Sequence, residues 1–339
     1  MNPQENDREK AIGALIRLGR WFDNAANEPD FIRAMALAQA ENPWFIPQNI
    51  LFAARQWAET LSEKAVRAWA ERYPLPAQSR RVLLVLAGNI PMVGLHDILC
   101  CYLSGHRATI KTSRDDTALI AAAVDFLRKT EPSLDSRLQL AEGLVREGVD
   151  AVIATGSDEA RRYFEYYFRA VPSLLRHARY SVGVIGPDTD DAQLALLSDD
   201  IMLYFGLGCR SVSQVLAPRD FDMGRLCRAL EKYAEVAHHA RYRNNYDYRR
   251  ALQTIAGDND VYDTGFLLLV PQDSPAAPIG MIGYRRYDTP EQARDYLLSL
   301  DEQLQCVVGD GFLPWGSAQR PALDDYADGA DTMAFLLSV

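Results

Sequence analysis

Residues 82–91 read VLLVLAGNIP, an apolar run that ends in a glycine, an asparagine and a proline. Apolar residues without polar alternation are typical of a strand buried on both faces of a parallel sheet. The Gly-Asn-x-Pro sequence predicts a turn at the end of that strand, followed by a helix over 92–103. The next apolar run, 108–111, predicts a second strand. The order strand, helix, strand indicates a βαβ unit.

The same alternation continues along the rest of the chain. Apolar runs predict further strands at 151–154, 180–185, 212–217, 265–270, 279–284 and 304–308. Amphipathic spacing predicts helices at 115–127, 158–168, 190–205, 223–234, 246–255 and 290–300. Residues 11–73 carry apolar side chains at helical spacing and predict a helical segment ahead of the sheet. The predicted fold class is therefore α/β, with a doubly wound sheet followed by a second α/β unit.

Composition and charge exclude several classes of protein. The 339 residues include 36 Lys and Arg against 46 Asp and Glu, which gives a formal net charge of −10. Such a charge repels nucleic acid, so no nucleic-acid partner is expected. The N-terminal sequence MNPQENDREK lacks the apolar stretch of a signal peptide, and no segment is long and uncharged enough to span a membrane. A cytoplasmic location is expected.

One cysteine stands in a sequence that suits a nucleophile. The chain has five cysteines without metal-ligand spacing, and we predict no metal site: Cys100, Cys101, Cys209, Cys227 and Cys306. Cys209 follows the glycine-containing turn Gly206-Leu207-Gly208 and precedes Arg210. Glycines let backbone N–H groups approach a bound carbonyl, and a neighbouring guanidinium favours the thiolate. A buried cysteine at a helix-to-strand corner is the alternative.

Polar residues follow three of the predicted strands. Asn89 follows the strand at 82–86, where a neutral amide can donate a hydrogen bond to an oxyanion; a turn asparagine is the alternative. The other two groups could hold nucleotide phosphate or ribose, although exposed lysines and capping serines are common: Lys111, Ser113 and Arg114, and Thr155, Gly156 and Ser157. Neither the usual dinucleotide glycine fingerprint nor a P-loop is present.

Taken in order, these motifs resemble the aldehyde dehydrogenase superfamily. The motifs are 88–91 (GNIP), 104–106 (SGH) before a strand ending in lysine, 149–157 (VDAVIATGS) and 208–211 (GCRS). Within the superfamily the chain looks most like the LuxC-type acyl-CoA reductases, which share segments similar to 244–248 and 314–332. The resemblance covers about residue 80 to the end.

The resemblance implies an aldehyde dehydrogenase-like division of the chain. It implies an N-terminal helical segment at 1–78, a dinucleotide-binding domain at 79–195, a catalytic domain at 196–315 and a C-terminal return segment at 316–339. It also implies that Cys209 accepts the acyl group and that the Asn89 side chain and the Cys209 backbone N–H form the oxyanion hole. Lys111 and its neighbours would hold the adenosine ribose, and Gly156 with Ser157 would begin the helix under the pyrophosphate.

Two departures from the superfamily bear on the reaction. Hydrolytic members carry a glutamate in the segment corresponding to 175–179 (LRHAR), and its absence favours aldehyde over acid as the product. Arg176, His177 and Arg179 are candidates to bind the phosphates of coenzyme A or of the dinucleotide, with a solvated basic turn as the alternative. Arg210, beside Cys209, is a further candidate substrate-binding residue. Arg114 stands where NAD-preferring relatives place an acidic residue, so NADPH is favoured and NADH stays open.

The sequence therefore predicts an enzyme that reduces a fatty acyl thioester, acyl-CoA or acyl-carrier protein, to the aldehyde through an acyl-cysteine. An aldehyde-oxidising dehydrogenase and a non-catalytic partner that docks an acyl-carrier protein are the alternatives. A homodimer is left open as the oligomeric state.

Overall fold

The computed structural model describes residues 3–145, 147–156, 158–257 and 260–339. The chain divides into two compact units: Met1–Ala178 with Pro321–Val339, here the first unit, and Arg179–Arg320, the second unit. Each unit contains one largely parallel sheet.

In the part of the first unit that the structure describes, four helices precede the sheet and three alternate with the strands. The helices are α1 (Pro3–Asp23), α2 (Pro29–Glu41), α3 (Pro47–Thr60), α4 (Glu63–Glu71), α5 (Leu95–Ser104), α6 (Thr117–Thr130) and α7 (Asp158–Tyr167). The strands are β1 (Arg81–Val85), β2 (Arg107–Lys111), β3 (Leu138–Leu140), β4 (Ala151–Thr155) and β5 (Ser173–Arg176).

The strand order of the first unit is β3-β2-β1-β4-β5, and every pairing is parallel. This is the order of doubly wound nucleotide-binding sheets, in which ligands bind beyond the carboxyl ends of the strands where the order reverses. The central strand β1 is fully apolar at its core, since Val82, Leu83 and Leu84 are completely buried. The loops after β1 and β4 therefore lie side by side at the reversal.

The second unit contains the remaining strands and most of the remaining helices. Its helices are α8 (Asp191–Met202), α9 (Met223–Leu230), α10 (Ala240–Ala256) and α11 (Pro290–Ser299). Its strands are β6 (Tyr180–Val184), β7 (Val212–Pro218), β8 (Tyr262–Asp263), β9 (Leu268–Pro271), β10 (Met281–Tyr287) and β11 (Leu304–Gly309). They form a sheet of order β11-β6-β7-β10-β9-β8, in which only β8 is antiparallel to its neighbour. The final helix, α12 (Thr332–Leu337), belongs to the first unit.

The boundary expected at residue 195 differs from the division between the compact units. Strand β6 lies inside the range 79–195, but it pairs with β7 and β11 and so belongs to the second sheet. The sequence of β6 contains no signal for this choice, because any buried strand of either sheet would look alike. The functional roles given to the four segments stay predictions.

The predicted helical segment ahead of the sheet is confirmed, and aromatic packing fixes it to the first unit. The Trp21 ring stacks on Phe126 of α6 with 4.8 Å between centroids, and it meets Phe31 edge-on at 5.3 Å. Gly19 of α1 is required for packing, because a Cβ there would lie 2.8 Å from the Leu61 Cβ. The N-terminal helices therefore pack against α6, which flanks the first sheet.

Three predicted helix ends are wrong for local backbone reasons. The helix expected from residue 92 begins at Leu95, because Met92 has a φ of 58° that no right-handed helix accepts. The helix expected to reach residue 205 ends at Met202, since Tyr204 and Phe205 are also left-handed. The helix expected from residue 246 begins at Ala240, where the His239 side chain provides a cap.

The other predicted strands and helices are confirmed with small shifts at their ends. The short strands β3, β5 and β8 were not predicted, because two to four residues carry too little periodicity. No helix among the described residues combines the length and the apolar character that crossing a membrane requires.

His106 fastens the C-terminal helix to the first sheet. The side chain is fully buried, and its Nδ1 accepts the Arg80 backbone N–H at 3.0 Å. The other ring nitrogen, Nε2, therefore donates to the Leu336 carbonyl at 2.8 Å. Burial lowers the pKa of His106 below its ordinary value. The ring is consequently held neutral in the folded chain.

Acidification should destabilise the first unit through His106. The unfolded chain binds a proton at this histidine below about pH 6.5, whereas the folded chain resists it, so its contribution to stability is complete above that pH and declines below it. Urea unfolding of the wild type and of His106→Gln should show a shallower loss of stability between pH 7.5 and pH 5.5 in the variant. Equal slopes in the two proteins would contradict this assignment.

Candidate active site

The turn that carries Cys209 follows a strained stretch of backbone. Tyr204, Phe205 and Gly206 are consecutive left-handed residues with φ of 55°, 60° and 75°. For a residue other than glycine this conformation costs about 1–2 kcal/mol. Both aromatic side chains are buried, and the Phe205 ring packs on His239 with 4.6 Å between ring centroids. Packing therefore holds a conformation that the local sequence disfavours.

Buried hydroxyl groups fix the backbone on both sides of Cys209. The Ser181 Oγ of β6 donates to the Cys209 carbonyl at 2.8 Å. The Gly208 N–H donates to the Ser211 Oγ at 3.2 Å, and the Ser211 N–H donates to the Gly208 carbonyl at 2.9 Å. The Gln319 amide donates to the same Ser211 hydroxyl at 3.0 Å. The turn is thus closed by side chains rather than by regular secondary structure.

The exposure of the cysteines separates two of them from the rest. Cys100, Cys101 and Cys306 are buried, whereas Cys209 and Cys227 are only partly buried. Burial raises the pKa of the Cys100 thiol well above its ordinary value, and it also raises that of Cys227. Cys209 and Cys227 are therefore the two cysteines that keep part of their surface exposed.

Asn89 lies exposed on the loop that follows β1 in the first unit. The preceding residue, Gly88, is buried and has no room for a side chain, because a Cβ there would lie 2.5 Å from the Ser113 Cβ. The loops after β1 and β2 therefore touch at this glycine. The predicted amide donor and the predicted nucleotide residues share one packed edge.

Lys111 is the last residue of β2, and Ser113 and Arg114 follow the strand, as the sequence predicts. The Lys111 Nζ donates to the Thr112 carbonyl at 2.6 Å, and the Ser113 hydroxyl accepts the Asp115 N–H at 3.3 Å. Arg114 is exposed, and its guanidinium makes no hydrogen bond or ion pair with any part of the chain that the structure describes. This cation is available to an external anion.

Thr155 and Gly156 lie at the end of β4, ahead of α7. Thr155 is the last residue of the strand, and a Cβ on Gly156 would lie 2.9 Å from the Ala160 Cβ. The glycine therefore lets the first turn of α7 approach the sheet closely. Ser157, the third predicted residue here, lies outside the described residues.

The predicted residues fall into two groups. The carboxyl edge of the first sheet carries Asn89, three residues at or just after the end of β2 and two at or just after the end of β4. Cys209 and Arg210 belong to the second unit, where Arg210 is buried with 9% of its surface exposed.

Arg176 is committed to a buried ion pair. It is the last residue of β5 and is 4% exposed, and its Nη1 donates to both carboxylate oxygens of Asp97 at 2.6 and 2.8 Å. Its Nη2 donates to the Thr332 hydroxyl at 2.7 Å. Such a guanidinium links α5 to the C-terminal helix and has little capacity for a phosphate. The expectation of a solvated basic turn is also wrong here, since the residue is buried.

His177 is held beside the C-terminal segment. Its backbone N–H donates to the Asp328 carboxylate at 3.4 Å, and its Nδ1 lies 3.9 Å from the same oxygen. Asp328 has a φ of 59°, so this contact is made from another left-handed residue. The imidazole is about 29% exposed. A contact with substrate therefore stays a prediction for His177, whereas Arg176 is occupied by Asp97.

Several structural partners of the site carry weak sequence signals. Asp200 is 1% exposed and accepts the Gly316 and Ala318 N–H groups at 2.7 and 2.9 Å. Burial raises the pKa of its carboxyl to about 6. It anchors the segment that also supplies Gln319 to the Cys209 turn. Ser181 could have been suspected as the one serine in a largely apolar strand, but a lone serine specifies no partner.

Substitution of Arg176 distinguishes a structural role from phosphate binding. Arg176→Leu leaves Asp97 as an unpaired buried carboxylate, so the chain should lose about 3–5 kcal/mol of unfolding free energy. Denaturant unfolding measures this, with the exposed Arg33→Leu on α2 as the control. A variant of unchanged stability that binds coenzyme A more weakly would instead support the phosphate contact.

Comparisons with known proteins find a partial sequence match to a curated protein and a similar fold in solved structures. No family model matches the chain. Over 170 residues it is 26% identical to the long-chain acyl-protein thioester reductase of Aliivibrio fischeri, which covers 45% of this chain and 35% of that protein. The chain thus spans about a third of the length of this curated relative.

Solved structures with the same fold cover most of the chain. A putative aldehyde dehydrogenase from Burkholderia cenocepacia matches with a TM-score of 0.63 and 17% identity, over 86% of this chain and 72% of its own. The NAD⁺ complex of an aldehyde dehydrogenase from Bacillus cereus matches with a TM-score of 0.61 and 13% identity, over 91% and 73%. An acetylating aldehyde dehydrogenase from Geobacillus thermoglucosidasius matches with a TM-score of 0.61 and 11% identity, over 91% and 76%. The chain has an aldehyde dehydrogenase-like fold, and its predicted resemblance to the LuxC-type reductases of that superfamily is confirmed.

Proposed function

We propose that the chain reduces a fatty acyl thioester to the corresponding aldehyde, with Cys209 as the acyl acceptor. The observation that carries this proposal is the Cys209 turn, where a partly exposed cysteine stands on backbone fixed by Ser181 and Ser211. A nucleophile needs such fixation, because small displacements of the attacking atom slow the reaction. The similarity to an acyl-protein thioester reductase supports the same reaction class.

The acyl transfer step uses groups of this chain alone. The Cys209 thiolate attacks the thioester carbonyl, forming a new carbon–sulfur bond while the carbonyl oxygen becomes an oxyanion. In this proposal the Cys209 backbone N–H donates a hydrogen bond to that oxygen, and the resemblance to the aldehyde dehydrogenases assigns a second hydrogen bond to the Asn89 amide. The oxyanion then collapses, the bond to the thiol of coenzyme A breaks, and the thiolate of coenzyme A leaves. One such donor typically lowers the activation free energy by about 3 kcal/mol.

The carboxyl edge of the first sheet fits a dinucleotide. Gly88 and Gly156 bring the loops after β1 and β4 into close contact with their neighbours, and the uncommitted Arg114 supplies a cation beside Lys111. When bound, a nicotinamide nucleotide would supply the hydride that the acyl group accepts. Arg114 could pair with a 2′-phosphate, which favours NADPH over NADH.

The proposed direction of the reaction follows from the absence of a glutamate at residues 175–179. Residues 175–179 contain no carboxylate to activate water, so an acyl-cysteine here is poorly suited to hydrolysis. Reduction to the aldehyde is therefore preferred to oxidation of an aldehyde to the acid. A non-catalytic partner that docks an acyl-carrier protein is disfavoured, because a chain of charge −10 would repel an acidic carrier.

By the same charge argument, coenzyme A is preferred to an acidic carrier protein as the donor of the acyl group. A cytoplasmic location and a homodimer stay predictions of the sequence.

The products of the reaction test the proposal. The chain with a fatty acyl-CoA and NADPH should release aldehyde, measured by trapping and mass spectrometry. Cys209→Ala should abolish it, while Cys227→Ala, which removes the other partly exposed thiol, should retain most of it. Free acid formed from an aldehyde and NADP⁺, without aldehyde formation from the thioester, would instead favour the oxidising alternative.

Arg114 sets the preferred nucleotide in this proposal. Arg114→Ser should lower kcat/KM for NADPH by about tenfold, the value of one hydrogen bond to a charged group, and leave that for NADH within about twofold. Arg33→Ser, an exposed arginine on α2, is the control. An equal loss with both nucleotides would show that Arg114 does not contact the 2′-phosphate.

A further inference from the structure

Asp116 carries a buried carboxyl group that accepts a hydrogen bond from the loop of Asn89. The residue is 1% exposed and stands directly ahead of α6. Its Oδ2 accepts the Met92 backbone N–H at 2.6 Å. Its Oδ1 is also buried and makes no hydrogen bond within the described residues. Burying a carboxyl group with so few hydrogen-bond partners costs folding free energy. The loop that the carboxyl group contacts should therefore account for its presence.

The group held by Asp116 is a loop in a disfavoured conformation. Met92 is completely buried and has a φ of 58°, which non-glycine residues rarely adopt. Its N–H points into the protein and has no strand or helix partner in this conformation. Without Asp116 that donor would be buried and unsatisfied, so the loop would move to find water or another acceptor.

The same loop touches Asp116 a second time, on the other side of Asn89. A Cβ on Gly88 would lie 3.2 Å from the Asp116 Cβ and 2.5 Å from that of Ser113. Asn89 therefore stands between two fixed points, the Gly88 contact and the Met92 hydrogen bond. Both points involve Asp116.

We propose that Asp116 is a positioning residue for Asn89: it fixes the loop 88–92 so that the Asn89 amide is held where the oxyanion forms. The proposal rests on the proposed function, since it assigns Asp116 a role only through Asn89. An oxyanion donor must be held to within a fraction of an ångström, and a loop residue achieves this only with support from behind.

The variant Asp116→Asn should keep the loop 88–92 in place. Its amide oxygen can accept the Met92 N–H in the same geometry. Burial raises the pKa of Asp116 well above its ordinary value, so the neutral amide also resembles the protonation state that the site favours. Alanine removes the acceptor altogether.

A double-mutant cycle on acyl transfer tests the proposal. The measured quantity is the single-turnover release of coenzyme A from an acyl-CoA without nucleotide, under saturating conditions. Asn89→Ala should slow it by about a hundredfold, and Asp116→Ala by about tenfold or more with the apparent acyl-CoA affinity unchanged within about threefold. Asp116→Asn should restore at least half of the wild-type rate. Adding Asp116→Ala to Asn89→Ala should cause no further loss.

The cycle separates this proposal from the proposed function. If Asn89→Ala leaves the rate unchanged, the oxyanion role of Asn89 fails and both proposals fall. A second outcome is that Asn89→Ala slows the reaction while Asp116→Ala has the same effect in the wild type and in the Asn89→Ala protein. In that case only the positioning role of Asp116 is wrong.

A second variant covers the case in which Asp116→Ala does not fold. Gly88→Ala places a Cβ against Ser113 and should displace the same loop. It should slow acyl transfer in the wild type and not in Asn89→Ala, and Ser113→Gly should partly reverse the effect by making room. A Gly88→Ala protein that transfers the acyl group at the wild-type rate would overturn the proposal.

Discussion

The backbone around Cys209 is held in a conformation that its own residues disfavour, and the candidate site depends on this constraint. Three left-handed residues precede the turn, and the packing of Phe205 on His239 keeps them there. Serine hydroxyls then close the turn from both sides of the cysteine. Stored backbone strain of this kind persists only where the surroundings over-determine it, and it is frequent at functional sites.

The first unit uses the same physical device at a different loop. Met92 is left-handed and buried, and a carboxyl group rather than a hydroxyl satisfies its N–H. The support extends outward, because the buried Asn42, beyond α2, donates to the Asp115 carbonyl at 3.2 Å. The N-terminal helices therefore brace the edge of the sheet that carries the predicted nucleotide residues. In both units, buried polar side chains fix the loops that carry predicted site residues.

The sequence predicted the parts of the molecule that follow from periodicity. Apolar runs such as 82–86 and 212–217 specify buried strands, and the polar motifs after them carried the resemblance to the aldehyde dehydrogenase superfamily. The left-handed residues were not predictable, because Met92, Tyr204 and Phe205 are not residue types that favour positive φ. The sheet to which β6 belongs was equally hidden, since its partners are set by tertiary packing.

Pairing between distant residues was the other feature that the sequence concealed. Arg176 reads as an exposed cation in a basic segment, yet Asp97, distant along the chain, buries it in an ion pair. The Ser181 and Asp116 contacts likewise join positions with no shared motif. Residue types suggested which chemistry was present, and only the fold shows which polar groups are already satisfied by one another.

The most direct test of this account is peptide mapping of the protein after incubation with a fatty acyl-CoA in the absence of nucleotide. Mass spectrometry should find one acyl group per chain, carried on the peptide that contains Cys209, and it should disappear when NADPH is added. An acyl group on Cys227, or no covalent adduct at all, would contradict it.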